Sequence, residues 1–165
     1  GGNQAISRAR HKVIEKNDMV MLQIGARYEG YASTIGRPVF FGKPEQKYLD
    51  AIKAGYEAHE VLVSQLYDGN NAGEVARRYY QTMENNGHAS WLLYGPCHAT
   101  GLMEGEPPWI ERNSNYLLRE NMTYCIDIFM GDNQAKRGFR IEDSVRVGKE
   151  RADNMTNYKK EVFLL

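Results

Sequence analysis

The sequence has little of what marks a secreted, membrane-spanning or nucleic-acid-binding protein. It contains only two cysteines, Cys97 and Cys125, and no Cys-x-x-Cys pair, which argues against a disulfide framework or a thiolate zinc site and makes a reducing cytoplasm the expected location. The net charge is +0, so charge gives no reason to expect nucleic acid or an anionic membrane as a partner. No apolar run approaches the roughly 20 residues that cross a bilayer.

The beginning of the chain also lacks the features of a targeting segment. Its first residues, GGNQAISRARHKVIEKND, are polar and do not resemble a signal peptide. The 165 residues are enough for a domain with a real core, and they show no internal repeat and no low-complexity linker. We therefore expect residues 1–165 to form a single domain.

Hydrophobic periodicity predicts strands first, then two helices, then strands again. Apolar alternation and glycine-marked turns indicate strands near residues 19–24, 28–33, 38–41, 89–96, 121–130 and 138–147. Residues 43–67 form a predicted helix, because apolar side chains recur at steps of three and four, and Pro44 suits its first turn. This order predicts an α+β fold with helices packed on one side of a mainly antiparallel sheet.

The second predicted helix, residues 71–87, has signals at both ends. Asn71 followed by Glu74 matches a capping box, and Gly87 is a natural residue just past a helix end.

Three polar residues fall where strands or an adjacent turn direct them inward: His98, Asp127 and Glu142. One imidazole and two carboxylates can bind a divalent ion, and they can equally serve as acid and base. The alternatives stay open at this point, because an aspartate in a strand is commonly at an edge or hydrogen-bonded, and a glutamate near Arg140 commonly forms an ion pair.

The other candidates have simpler interpretations. His59 lies on the apolar face of the first helix and is expected in the core, whereas His88 follows Gly87 and is expected in a surface turn. His11 lies among basic residues of a solvated face. Cys97 is expected to be a small buried thiol, since no base and orienting group are readable around it.

Several stretches, taken in order, resemble the pita-bread family that includes methionine aminopeptidases, proline dipeptidases and creatinase. They are LQIGARYEGYASTIGRP, GPCHATGLMEGEPPWI, ENMTYCIDIF and GFRIEDSVRV, and the similarity covers nearly the whole chain. The resemblance implies a pita-bread α+β fold with a mainly antiparallel curved sheet. It also implies that an N-terminal part is missing, so that the chain is a piece of a longer product, and we expect a homodimer.

The active peptidases of this family hold two divalent ions with two Asp, one His and two Glu. Carried over by position, the resemblance implies that the His and the last Glu are intact, that the first Glu is shortened to Asp, and that both Asp are replaced by neutral residues. These positions are His98, Glu142, Asp127, Gln23 and Thr34. Two negative charges are lost, so one divalent ion at most, on His98, Asp127 and Glu142, or none is expected.

Other family positions are partly retained. The family's second histidine falls on Gly105, while "EPP" is present. The catalytic residues implied are His98, Asp127, Glu142 and Arg140, and the substrate-binding residues are Glu106, Tyr94 and Arg37. For Tyr94, as for Trp91, core packing is the alternative to lining the pocket.

Three functions follow from this pattern. The first is a hydrolase of the Xaa-Pro peptidase or creatinase type that acts on a small amide, amidine or peptide with one metal ion or none. The second is an inactive pseudopeptidase that binds a peptide or protein partner, and the third is a structural subunit. Creatine hydrolysis is not supported, since creatinase uses an upstream histidine and the corresponding position, near residues 6–8, has none.

Overall fold

Eight strands form one sheet in the computed structural model, which describes residues 11–165. The main path runs β1-β2-β6-β5-β3-β4, with β7 paired to β6 and β8 to β2. The strands are β1 (Met19–Tyr28), β2 (Tyr31–Phe40), β3 (Cys97–Ala99), β4 (Glu106–Ile110), β5 (Thr123–Asp132), β6 (Arg137–Arg146), β7 (Asp153–Asn154) and β8 (Phe163–Leu164). All pairs are antiparallel except β2 with β8.

β1 and β2 form one long hairpin. Glu29 and Gly30 both have positive φ, 47° and 90°, which is the backbone of a tight two-residue turn that follows the sheet's twist. The prediction of two short strands at 28–33 and 38–41 was therefore wrong. Gly36 does not interrupt the strand, because pairing continues unbroken from Met19 with Phe40 to Tyr28 with Tyr31.

Two helices, α1 (Gln46–Gln65) and α2 (Ala72–Asn85), confirm the predicted positions within two or three residues of each end. α1 starts after Pro44 and packs on β5 and β6, where Gly55 lies against Ile141 and Met130. The Asn71 side chain caps α2 by accepting hydrogen bonds from the N–H groups of Gly73 and Glu74.

A buried polar cluster joins the helix side of the sheet to α1. The Arg37 guanidinium donates to Asp143 Oδ1 at 2.7 Å, and His59 Nε2 lies 2.9 Å from Asp143 Oδ2. Burial favours the neutral acid, but His59 and Arg37 outweigh it and lower the pKa of Asp143. His59 is thus a core histidine, as expected, and its Nε2 atom faces the Asp143 carboxylate. Arg37 also donates to the carbonyl oxygens of residues 158 and 159, which ties the C-terminal segment to the sheet.

The segment 89–96 differs from its prediction as a short strand and turn. It contains a short 3₁₀ helix, Ala89–Trp91, and then touches β5 only through an isolated bridge between Leu92 and Met130. The Trp91 ring packs edge-on against Tyr48, with centroids 5.7 Å apart, so this tryptophan serves the core. Among the helices of residues 11–165, none is both long and apolar enough to cross a membrane.

Candidate functional site

The strand register brings the predicted site residues to one face of the sheet, opposite the helices. Asp127 pairs with Glu142, and His98 pairs with Cys125. Directly paired residues in antiparallel strands point to the same face, so the imidazole and the two carboxylates converge. All three side chains are buried.

The absence of a side chain at Gly36 allows Gln23 to contact Glu142. Gln23 pairs with Gly36, and Gly36 pairs in turn with Glu142. A Cβ atom at position 36 would lie 2.8 Å from the Glu142 Cβ, so only glycine lets the strands approach this closely. The amide of Gln23 reaches across the gap and donates to Glu142 Oε2 at 2.7 Å.

Both oxygens of Glu142 accept hydrogen bonds from neutral side chains. Thr34 Oγ1 donates to Oε1 at 2.7 Å, and Gln23 supplies the other bond. Burial, with the nearby Asp127 carboxylate, raises the pKa of Glu142 to about 8. The Gln23 amide oxygen in turn accepts from Arg140 Nη1 at 2.7 Å, so these residues form one connected network.

Asp127 is held differently. The Tyr94 hydroxyl donates to its Oδ2 atom, while Oδ1 lies 3.5 Å from Arg140 Nε. Within the described residues neither Oδ1 nor Nε has a hydrogen-bond partner, although both are buried. Burial raises the pKa of Asp127 against the opposing effect of Arg140. The structure thus contains an unsatisfied acceptor beside an unsatisfied donor.

The orientation of His98 leaves one nitrogen open. Its Nδ1 atom lies 3.0 Å from the Ala99 carbonyl oxygen, which can only accept, so Nδ1 carries the proton. In the neutral ring Nε2 would carry the lone pair, and this atom faces Glu104 Oε1 at 3.7 Å and Asp127 Oδ2 at 4.0 Å. Gly105 is adjacent, since a Cβ there would lie 3.6 Å from Nδ1.

Two of the residues expected to bind substrate have other contacts. Arg37 lies on the helix side of the sheet, because side chains alternate along β2 and Thr34 and Gly36 take the site side. Arg37 thus points away from His98, Asp127 and Glu142, and its role in substrate binding stays a prediction. Glu106 accepts from the Met103 N–H at 2.9 Å and braces the loop between β3 and β4. Tyr94 does reach the cluster, through Asp127, and its ring also packs against Phe129 with centroids 5.5 Å apart.

The five positions at which the family resemblance places metal ligands hold two carboxylates, Asp127 and Glu142. Two of the five expected ligand positions offer an amide and a hydroxyl instead of carboxylates, and both of these groups donate hydrogen bonds to Glu142. A smaller group of donors does converge nearby: one ligand atom each from His98, Glu104, Cys125 and Glu142 lies within 4.8 Å of the others. Asp127, expected as a ligand, is not in this group.

Sequence reasoning missed two of these four donors. Cys125 could have been found, because it lies two residues before Asp127 on the same face of a predicted strand. Glu104 carries no such signal, since its place depends on the path of a glycine-rich loop.

The comparisons with known proteins decide the family. A sequence model described as metallopeptidase family M24 matches residues 1–149. This chain belongs to family M24. It is 28% identical over 157 residues to the Xaa-Pro dipeptidase of Pyrococcus furiosus. The aligned region covers 94% of this chain and 44% of that protein. It is also 32% identical over 127 residues to the methionine aminopeptidase of Aquifex aeolicus. That alignment covers 72% of this chain and 48% of the aminopeptidase.

Solved structures of M24 relatives confirm the fold. The recombinant prolidase of Thermococcus sibiricus superposes with a TM-score of 0.92 at 27% identity, over 99% of this chain and 44% of that one. The expected pita-bread fold, a curved antiparallel sheet with two helices, is therefore confirmed. The chain spans a little under half the length of the curated M24 relatives that it matches.

Proposed function

We propose that this chain is the catalytic-type domain of an M24 hydrolase that cleaves a peptide or another small amide without a pair of metal ions. The observation that carries the proposal is the unsatisfied acceptor on Asp127 beside the unsatisfied donor on Arg140. Buried polar groups without partners are rare in folded proteins and call for an explanation. A bound water and the carbonyl oxygen of a substrate would satisfy both.

Electrostatics supports the absence of the metal pair. Two doubly charged ions about 4 Å apart repel each other by roughly 16 kcal/mol at an effective dielectric constant of about 20. Of the five expected ligand positions, only Asp127 and Glu142 can supply negative charge, because Gln23 and Thr34 are neutral. Two carboxylates balance half of the four positive charges of such a pair.

The side chains present can perform hydrolysis in a balanced sequence. A water oxygen attacks the substrate carbonyl carbon while Asp127 Oδ1 takes a proton from that water. Arg140 Nε donates to the carbonyl oxygen as it becomes an oxyanion. The carbon–nitrogen bond then breaks as Asp127 returns the proton to the leaving nitrogen. Tyr94 holds Asp127 in place through its hydroxyl.

The relatives support the substrate class. Their names, Xaa-Pro dipeptidase and methionine aminopeptidase, describe enzymes that act on peptides. We therefore propose a peptide substrate first and a small amide or amidine second. The homodimer and the cytoplasmic location expected from the sequence stay predictions.

Steady-state kinetics of the full-length protein tests the hydrolase. We expect turnover of Xaa-Pro dipeptides in the presence of a chelator, and a fall in kcat of about 10²-fold or more for Asp127→Asn, the range for loss of a general base. Asp132→Asn is the matched control, because it changes the same group at the outer end of β5 and should keep kcat. Unchanged kcat in Asp127→Asn would refute the assigned role.

A second candidate is an inactive domain that binds a peptide. It is favoured by the network around Glu142, in which both carboxylate oxygens already accept hydrogen bonds from neutral side chains. Calorimetric binding of Xaa-Pro peptides by the full-length protein, with no cleavage product detected by mass spectrometry, would select this function over the hydrolase.

A further inference from the structure

Four metal-binding side chains meet at the site in a combination that the family pattern does not contain. His98 and Glu142 occupy expected ligand positions, whereas Cys125 and Glu104 do not. One donor atom from each lies within 4.8 Å of the other three. Three of the four side chains are buried and Glu104 is half-buried, so the cluster is not a set of freely solvated charges.

The separations suit a single small ion. Zinc binds nitrogen and carboxylate oxygen at about 2.0–2.2 Å and thiolate sulfur at about 2.3 Å, so the donors of a tetrahedral site stand about 3.3–3.8 Å apart. His98 Nε2 and Glu104 Oε1 are already 3.7 Å apart. The remaining separations are at most 4.8 Å, about 1 Å more than such a site requires.

The lone pair of His98 is available for this purpose. The bond between Nδ1 and the Ala99 carbonyl fixes the tautomer, which is the arrangement that ligating histidines commonly show. Cys125 is directly paired with His98 across β3 and β5, so a nitrogen and a sulfur donor come from neighbouring strands of the sheet.

Thr34 and Gln23 acquire a role in such a site. Thr34 Oγ1 lies 2.7 Å from Glu142 Oε1 and 3.3 Å from Cys125 Sγ, so one hydroxyl contacts two of the donors. Gln23 holds the other oxygen of Glu142. Outer groups of this kind orient the ligands of a metal ion. The substitutions that exclude a metal pair thus brace the donors of a single ion.

We propose that His98, Glu104, Cys125 and Glu142 bind one thiophilic transition-metal ion such as zinc, with Cys125 as a thiolate ligand. A sulfur donor with an imidazole selects zinc and similar ions over magnesium, calcium or manganese, which prefer oxygen. The inference does not depend on the hydrolytic activity, which we assign to Asp127 and Arg140. Because Glu104 comes from the loop between β3 and β4, the ion would also fasten that loop to the sheet.

Cobalt titration of the full-length protein, stripped of metal by a chelator, tests the site. Co²⁺ stands in for zinc and gives a near-ultraviolet charge-transfer band only when a thiolate binds it. We expect one equivalent to bind with this band, Zn²⁺ to displace it, and Cys125→Ser to lose it. Cys97→Ala, which changes the other buried cysteine, is the matched control and should keep the band.

Two further variants guard against effects on folding. Glu104→Gln changes a half-buried loop residue, so it should leave the thermal midpoint of the metal-free protein unchanged and weaken cobalt binding about 10-fold or more. Asp127→Asn should keep one equivalent and the band. The proposal is overturned if cobalt gives no thiolate band, if Cys125→Ser keeps it, if Glu104→Gln binds as tightly as the unchanged protein, or if Asp127→Asn abolishes binding.

Discussion

At the scale of single residues, the site is set by two neutral side chains. Gln23 and Thr34 stand where M24 peptidases, by the family resemblance, carry aspartates. Each donates a hydrogen bond of 2.7 Å to Glu142. Two such bonds satisfy part of the hydrogen-bonding capacity of a buried carboxylate, and each oxygen keeps a second lone pair.

Placing aspartates at positions 23 and 34 should increase the number of divalent ions that the site binds. In the double variant Gln23→Asp, Thr34→Asp we expect the number of tightly bound divalent ions per chain to rise to two, because four carboxylates then face the pair. Without metal, crowding of like charges should lower stability by about 2 kcal/mol or more, which is about 4–8 °C in Tm for a domain of this size.

Elemental analysis and thermal unfolding with and without Mn²⁺ check both parts. The double variant Gln81→Asp, Thr82→Asp makes the same chemical changes on α2, where Gln81 is exposed and Thr82 half-buried, and it should leave the number of bound ions unchanged and Tm little changed. A restored variant that still binds one ion or none would show that charge is not what limits the site.

At the scale of elements, the closeness of β2 to β6 positions the network. Gly36 has no side chain to separate them, and its neighbours across the gap include the backbone nitrogen of Glu142, 3.3 Å from where a Cβ would stand. Backbone cannot move aside as a flexible side-chain end can. The register that aligns Gln23, Gly36 and Glu142 therefore depends on the absence of a side chain at position 36.

Gly36→Ala should destabilise the protein by about 1–3 kcal/mol, the usual cost of overpacking, and should separate Gln23 from Glu142. Gly25→Ala is the matched control in the same hairpin, because its added Cβ would meet Thr34 Cγ2 at an ordinary 3.7 Å and its φ is not positive. We expect that control to be neutral or slightly stabilising. Urea unfolding measures both, and equal midpoints for the two variants would contradict the packing argument.

At the scale of the whole molecule, the sequence predicted the order of the elements and the convergence of His98, Asp127 and Glu142. Periodicity reports which face a side chain takes, so the two helices and the main strands could be located. It does not report register between distant strands or the path of a loop. The bond from Gln23 to Glu142 depends on the strand register, and the approach of Glu104 depends on the path of its loop.

Arg37 is a residue for which the motif and the strand alternation indicate different roles. Its motif position indicated a role in binding, but alternation along β2 turns it to the helix side, where it pairs with Asp143. Arg37→Met should destabilise the protein by about 3 kcal/mol, since it leaves a buried carboxylate with fewer partners. Arg27→Met, on the exposed part of β1, should change the urea midpoint little. A small effect of Arg37→Met would mean that the pair contributes little to stability.

The contacts of the Arg37 guanidinium affect which segments of the molecule unfold together. Through Asp143 and His59 it connects to α1, and through the carbonyls of residues 158 and 159 it connects to the C-terminal segment. Parts that share one buried anchor are expected to open as one cooperative unit. In amide hydrogen exchange, we therefore expect three segments to lose protection at the same denaturant concentration. They are the middle of α1, the centre of β2 and the C-terminal segment around residues 158 and 159.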